Sequence, residues 1–184
     1  MRTKLMARGI AAAALGLAMA AVGAGAASPA SAATVAHPAV LPGAFHAVVI
    51  SRNSGKCINV ANGSTANGAW IQQYHCDGTA AAEFLFLQNG EGFYEIQNQL
   101  SHKCADLEKF GTSNNARLQQ FDCNGSQTQQ WNVQDQGNGS VKLRNRYAGS
   151  CAEVPYGSQG DSVTLDASTC FASLPGQEFY LFLN

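Results

Sequence analysis

CADLEKFGTSNNARLQQFDCNGSQTQQW, residues 104–131, decides the fold, because a related stretch lies on either side of it. Residues 57–84 read CINVANGSTANGAWIQQYHCDGTAAAEF and residues 151–179 read CAEVPYGSQGDSVTLDASTCFASLPGQEF. The first cysteine of each copy stands at 57, 104 and 151 and the second at 76, 123 and 170, so both series advance by 47 residues. Three copies of one unit are present. Among the 15 ways of pairing six cysteines, the one that preserves the repeat joins Cys57 to Cys76, Cys104 to Cys123 and Cys151 to Cys170. Each bridge would close a loop worth roughly 3 kcal/mol by the chain-entropy estimate.

Outward from the cysteines the copies stay in register. Ser54-Gly55-Lys56, Ser101-His102-Lys103 and Ala148-Gly149-Ser150 place a small or polar turn before each first cysteine. Upstream, Ala47-x-Val49-x-Ser51, Tyr94-x-Ile96-x-Asn98 and Val141-x-Leu143-x-Asn145 alternate with period two, the signature of a strand. Phe84-Leu85-Phe86-Leu87, Trp131-Asn132-Val133-Gln134 and Phe179-Tyr180-Leu181-Phe182 follow the second cysteines and are again strand-like. Asn89-Gly90-Glu91-Gly92 and Gly137-Asn138-Gly139 then read as hairpin turns. A period near 47 also suits helical repeats or propeller blades. The mature chain has no long stretch of helical periodicity, and three copies fall short of the usual four or more blades. A closed, three-fold, all-β structure is left.

Ahead of the repeats, Arg2, Lys4 and Arg8 precede an alanine-rich apolar run from Ile10 to Gly25 that ends near Ala30-Ser31-Ala32. This is the pattern of a secretory signal peptide, residues 1–32, cleaved after Ala32, and it implies a secreted, extracellular protein. The run is short of the usual ~20 residues, so no membrane span is expected after cleavage. Residues 33–44, with Pro38 and Pro42, read as a flexible leader, and residues 45–184 as one domain. The chain carries 11 Lys+Arg and 12 Asp+Glu; without Arg2, Lys4 and Arg8 the balance is 8 against 12, or −4. A mildly acidic surface argues against a nucleic-acid partner, and low charge among many Asn, Gln, Ser, Thr and Gly suits a neutral polar ligand. An even cysteine count behind an export signal implies disulfides. There is no Cys-x-x-Cys pair, and His37, His46, His75 and His102 do not recur at ligand spacing, so neither metal nor cofactor is expected.

Cys104-Ala105-Asp106-Leu107, Gln119-Gln120-Phe121-Asp122-Cys123 and Gln129-Gln130-Trp131 together resemble the ricin-type β-trefoil family, whose repeat carries Cys-x-Asp-x, Gln-x-aromatic-x-Cys and Gln-x-Trp. The resemblance covers nearly all of residues 45–184. It implies a β-trefoil of three 47-residue repeats, a six-stranded barrel capped by hairpins, with one disulfide and at most one shallow sugar site per repeat. In such a site a carboxylate accepts hydrogen bonds from vicinal sugar hydroxyls, the glutamine adds a polar contact, and the aromatic ring covers the C–H face of the pyranose.

Carried over residue by residue, the resemblance implies unequal sites. The second repeat places Asp106, Gln119 and Phe121 at the sugar-binding positions, with Thr128 where an Asn is common in the family, and is the site expected to work best. The first repeat has Asn59 in the Asp position, retains Gln72 and Tyr74, and substitutes Ala81-Ala82 for the polar pair before Phe84. An amide accepts less strongly than a carboxylate, so a weaker site is expected there. The third repeat has Glu153, Asp166 and Ser168 and lacks the stacking ring, although Tyr156 could lend a face from another side. Trp131, Phe84 and Phe179 are expected in the core, and Gln129 and Gln177 on buried backbone groups. Phe121 and Tyr74 are expected to be exposed.

Asp106 and Glu108 would share one face of a strand, but no deep cleft is indicated, so hydrolysis is not expected. Asn62-Gly63-Ser64, Asn124-Gly125-Ser126 and Asn138-Gly139-Ser140 match the glycosylation sequon, yet Asn-Gly is also the ordinary turn dipeptide. The expected function is a secreted, monomeric carbohydrate-binding module, without enzyme machinery, for galactose- or xylose-type sugars on a glycan or polysaccharide. The competing reading is a β-trefoil that has lost its sugar sites and binds a protein partner, such as a protease to be inhibited.

Overall fold

The computed structural model describes Leu41, residues 43–108 and residues 115–184. The signal peptide expected over residues 1–32 lies outside the described residues, as does the leader expected over 33–44 apart from Leu41, Gly43 and Ala44.

Six strands form the barrel: β1 (Ala44–Ser51), β4 (Glu83–Gln88), β5 (Tyr94–Asn98), β8 (Gln130–Asp135), β9 (Val141–Asn145) and β13 (Phe179–Leu183). β1 pairs with β4, β4 with β5, β5 with β8, β8 with β9, β9 with β13 and β13 again with β1, so the ring closes and its strands have no free edge. Between them stand three hairpins, β2 (Cys57–Val60) with β3 (Ile71–Tyr74), β6 (Cys104–Leu107) with β7 (Ala116–Phe121), and β10 (Cys151–Glu153) with β12 (Asp166–Ser168). The hairpins join one another in a ring: a bridge from Trp70 to Gln119, β7 to β12, and the short β11 (Val163–Thr164) to β3.

Period-two alternation puts equivalent side chains inside. Val49, Ile96 and Leu143 form one three-fold set in the core and Phe84, Trp131 and Phe179 another, all buried, as the sequence pattern requires. Each disulfide joins Cys57 to Cys76, Cys104 to Cys123 or Cys151 to Cys170, tying a hairpin within its own repeat.

Side-chain amides then fasten one segment to the next. Asn98 Nδ2 donates to Ala81 O at 2.9 Å, and Asn145 Nδ2 donates to Thr128 O at 2.8 Å. Gln73 Nε2 donates to the carbonyls of Ser158 and Gly160, and the equivalent Gln120 to those of Ser64 and Ala66, so two hairpins each clamp a loop of the neighbouring repeat. Gln129 receives the Asn124 N–H and donates to Asp122 O, the role expected of a buried glutamine.

Trp131 Nε1 donates to Ala105 O at 3.0 Å, a bond that the phenylalanines at 84 and 179 cannot make. Trp131→Phe keeps the ring but orphans that carbonyl, and is expected to cost about 1–2 kcal/mol. Trp131→Ala should cost about 3–5 kcal/mol. Chemical denaturation of the two variants beside the parent checks both figures.

Candidate functional site

The second repeat builds the most complete constellation. Asp106 and Gln119 are Cα partners across the β6–β7 ladder, so their side chains emerge together on one face. Gln119 Nε2 donates to Asp106 Oδ2 at 2.9 Å, and Thr128 Oγ1 donates to Asp106 Oδ1 at 2.7 Å. Ser126 Oγ lies 2.8 Å from Thr128 Oγ1. The Thr128 proton is committed to an acceptor-only carboxylate, so Ser126 must be the donor to Thr128. Asp106 is 8% exposed as a residue, its carboxylate is held at both oxygens, and each oxygen keeps lone-pair capacity for a ligand hydroxyl. Phe121, two residues beyond Gln119 on β7, is 39% exposed.

The first repeat keeps the shape and loses the fixation. Asn59 and Gln72 are again Cα partners, and they line one open cleft with Tyr74, Asn62, Thr79 and Leu100. Ala81 stands where Thr128 stands in the second repeat, and Asn59 Oδ1 is buried with no hydrogen-bond partner. Tyr74 is half-buried, its ring tilted against His75 at 4.2 Å, less open than the sequence suggested.

In the third repeat the counterpart carboxylate is turned inward. Glu153 Oε2 accepts from Ser168 Oγ and from Gln177 Nε2, and Gln177 also donates to Thr169 O. Asp166, the Cα partner of Glu153 on the adjacent strand, leaves Oδ1 buried and unpartnered. Burial first, and the nearby Glu153 charge second, push the Asp166 carboxyl up to about 6. Tyr156 is fully exposed on the turn after β10.

Two contributors escaped the sequence reading. Thr128 read as a departure from the family pattern, whereas its hydroxyl orients Asp106. Side chains from the next repeat that border two of the clefts were also missed. Leu100, from the turn after β5, lies 3.7 Å from where a Cβ on Gly63 would stand, and Asn53, its counterpart 47 residues earlier, donates to Gly157 O at 2.7 Å. Tyr147, the third-repeat counterpart after β9, is 43% exposed. Aligning positions 53, 100 and 147 as Asn, Leu and Tyr was the available signal. Among the described residues no three His, Cys, Asp or Glu side chains converge to hold a metal ion, and no helix is long and apolar enough to cross a membrane.

A closed barrel ringed by three disulfide-tied hairpins, each bearing a polar pair on its outer face, is a β-trefoil. The profile of the ricin-type beta-trefoil lectin domain matches residues 45–179, and the chain belongs to that family. Among solved structures, a designed three-fold symmetric protein, ThreeFoil, superposes with a TM-score of 0.72 at 29% identity over 77% of this chain and 99% of its own. An exo-beta-1,3-galactanase from Clostridium thermocellum gives a TM-score of 0.74 at 26% identity, over 79% of this chain but only 31% of the galactanase. A ricin B-like lectin from Macrolepiota procera, solved in complex with lactose, shares the fold with a TM-score of 0.64 at 12% identity over 77% of this chain and 96% of its own. No curated protein sequence matches the chain.

Asp166 binds its proton more tightly in the folded chain than in the unfolded one. Between the ordinary aspartate value and about 6 the native state therefore holds more protons, and stability from this group rises as pH falls through that window. Above pH 6 the ionised group is a burden of order 1 kcal/mol, after discounting for its partial exposure. Asp166→Asn is expected to melt a few degrees higher than the parent at pH 7.5, with the difference closing by pH 4. Thermal melts of the pair across pH 4–8 check this; an equal difference at all pH values would refute it.

Proposed function

We propose that the protein is a secreted, non-catalytic carbohydrate-binding module whose principal site lies in the second repeat. The observation that carries this is the Asp106 carboxylate, held by Thr128 and Gln119 beside the open face of Phe121. A fixed carboxylate accepts two vicinal hydroxyls without paying to reorient, and an exposed ring covers the C–H face of a pyranose at low entropic cost. Membership in the lectin-domain family supports carbohydrate as the ligand class, and of the galactose- or xylose-type sugars expected from the sequence the likeness to part of an exo-beta-1,3-galactanase favours the former. The chain covers only part of that enzyme, and the engagement of Asp106 by two donors and of Glu153 by its own network favours binding over catalysis. A shallow site of this kind binds at about millimolar Kd, or about 4 kcal/mol. Repetition of the ligand along a polysaccharide would raise the avidity of a monomer that carries more than one site.

Screening the purified protein on a glycan array and on insoluble galactans and xylans, beside Asp106→Ala, tests the reading. Binding that falls at least tenfold in the variant is the expected result. Thr128→Val, which keeps the shape and removes the donor to Asp106, should weaken binding several-fold with little change in melting temperature. Retention of a protein partner by Asp106→Ala, with no glycan bound by the parent, would instead establish a protein-binding trefoil.

A further inference from the structure

The three strand pairs of the barrel wall are alike on the inside and differ on the outside. Across β8 and β9 the outward cross-strand pairs are Asn132–Arg144 and Gln134–Lys142. The pairs equivalent to Asn132–Arg144 are Leu85–Gln97 on β4 and β5 and Ile50–Tyr180 on β1 and β13. One wall of the three is therefore polar and basic, in a chain of net charge −1 at pH 7. Asn59, Asp106 and Glu153 stand on β2, β6 and β10, outside the barrel strands, so this wall is no part of the repeated motif.

An open cleft runs along that wall, lined in part by Phe93, Asn132, Gln134, Arg144, Arg146 and Gly149. Arg144 is exposed but fixed, since its Nε donates to Gly149 O at 2.8 Å. Gly149 has a positive φ of 67°, and a Cβ there would stand 3.4 Å from Arg144 Nη2, so glycine leaves room for the guanidinium. With Nε committed, the open edge of the fork is the pair of Nη groups, which can meet both oxygens of one carboxylate. Arg52, Lys56, Lys103 and Arg146 each pair with a carboxylate, but Arg144 meets none among the described residues.

The surroundings reinforce that charge. Lys142, two residues earlier on the same face of β9, is 4% exposed, and its ammonium donates only to the carbonyls of Phe171 and Ala172. A buried cation without a counter-charge is poorly screened and raises the potential at the neighbouring opening. Arg146 is neutralised by Glu91 and lies 4.7 Å above the centre of the Phe93 ring, so it serves as a packed wall. The side-chain amides of Asn132 and Gln134 have no hydrogen-bond partner among the described residues and offer neutral donors and acceptors beside the guanidinium.

We propose that this cleft recognises a carboxylate carried on a sugar, a uronate residue of an acidic polysaccharide, with Arg144 on both carboxylate oxygens and Asn132 and Gln134 on the adjoining hydroxyls. One guanidinium edge flanked by neutral amides matches a planar monoanion, and a pyranose uses the amides that a bare anion would leave idle. The inference rests on the reading of the chain as a sugar binder and adds a charged subsite to it.

Immobilised polygalacturonate and its methyl ester, the same polymer with the charge removed, separate this subsite from the principal one. The parent is expected to bind the acid about fivefold better than the ester in about 20 mM NaCl, with the preference fading by about 300 mM. Arg144→Gln copies the residue that the β4–β5 wall carries at 97, and should lose the preference while keeping the parent's melting temperature and its binding of neutral glycans. Arg144→Lys, which keeps the charge without the two-pronged edge, should retain less than half of it. Asp106→Ala should lose neutral binding and keep the preference. A preference that survives in Arg144→Gln, or a parent without one, overturns the proposal and leaves the principal site standing. Competition by acetate or inorganic sulfate as effective as that by galacturonate overturns the uronate assignment. A parent that binds neither acidic nor neutral glycans defeats both readings.

Discussion

A barrel closed from six strands buries the carbonyls of its connecting turns where neither the ladder nor water reaches them, and an unpaired buried carbonyl costs about 1–3 kcal/mol. Asn98 and Asn145 resolve this. Each amide donates to the turn ahead of the preceding barrel strand, at Ala81 and Thr128, while its own Oδ1 accepts the backbone N–H groups of the next turn. The third equivalent is Ser51, too short for the task, and its hydroxyl is buried without a partner. There the chain uses backbone instead: Val154 N donates to Gly176 O, the counterpart of the Ala81 and Thr128 carbonyls. The Asn145 tie also reaches the binding face, because it holds Thr128 by its carbonyl while the Thr128 hydroxyl holds Asp106. Barrel closure and carboxylate orientation share one residue.

That residue position separates the three repeats. Thr128 supplies a donor. Ala81 supplies none, leaving the Asn59 oxygen unpartnered over an otherwise well-shaped cleft. At Gly176 a Cβ would stand 2.9 Å from Val154 O, so no side chain fits without movement, and Gln177 and Ser168 engage Glu153 instead. The third copy is also one residue longer between its second cysteine and its core aromatic residue, and the buried Lys142 caps the carbonyls of Phe171 and Ala172 in that segment.

The barrel, the hairpins and the disulfide pairing were legible because a 47-residue period repeats every determinant three times, and the burial of Trp131, Phe84 and Phe179 followed from period two. The identities at the second-repeat site were legible from the motif, but their coupling was not. Thr128 reaches Asp106 across 22 residues, and Leu100 and Ser162, from the second and third repeats, wall a cleft whose other members belong to the first. The openness of Tyr74 was overread, since the sequence does not reveal that its neighbour His75 folds against it. The raised Asp166 carboxyl needs both the depth of its burial and the register that sets it against Glu153, and neither follows from composition.

Apart from the Ser51 and Ser150 hydroxyls, the groups that carry the fold are satisfied, whereas two that are not lie at the clefts. Of the buried side-chain oxygens without partners among the described residues, those of Asn59 and Asp166 belong to residues lining clefts, and Tyr156 bears backbone strain with its ring in solvent. An asparagine at 156 and an amide at 166 would relieve these costs without disturbing the barrel, because neither side chain packs in the core. Stability lost where it could be regained by one substitution, and lost beside an open polar cleft, fits a surface kept for binding rather than for stability. The disulfides and the amide clamps make that possible in a domain of this size, since they hold the cleft walls in place while the polar groups between them remain unpaired.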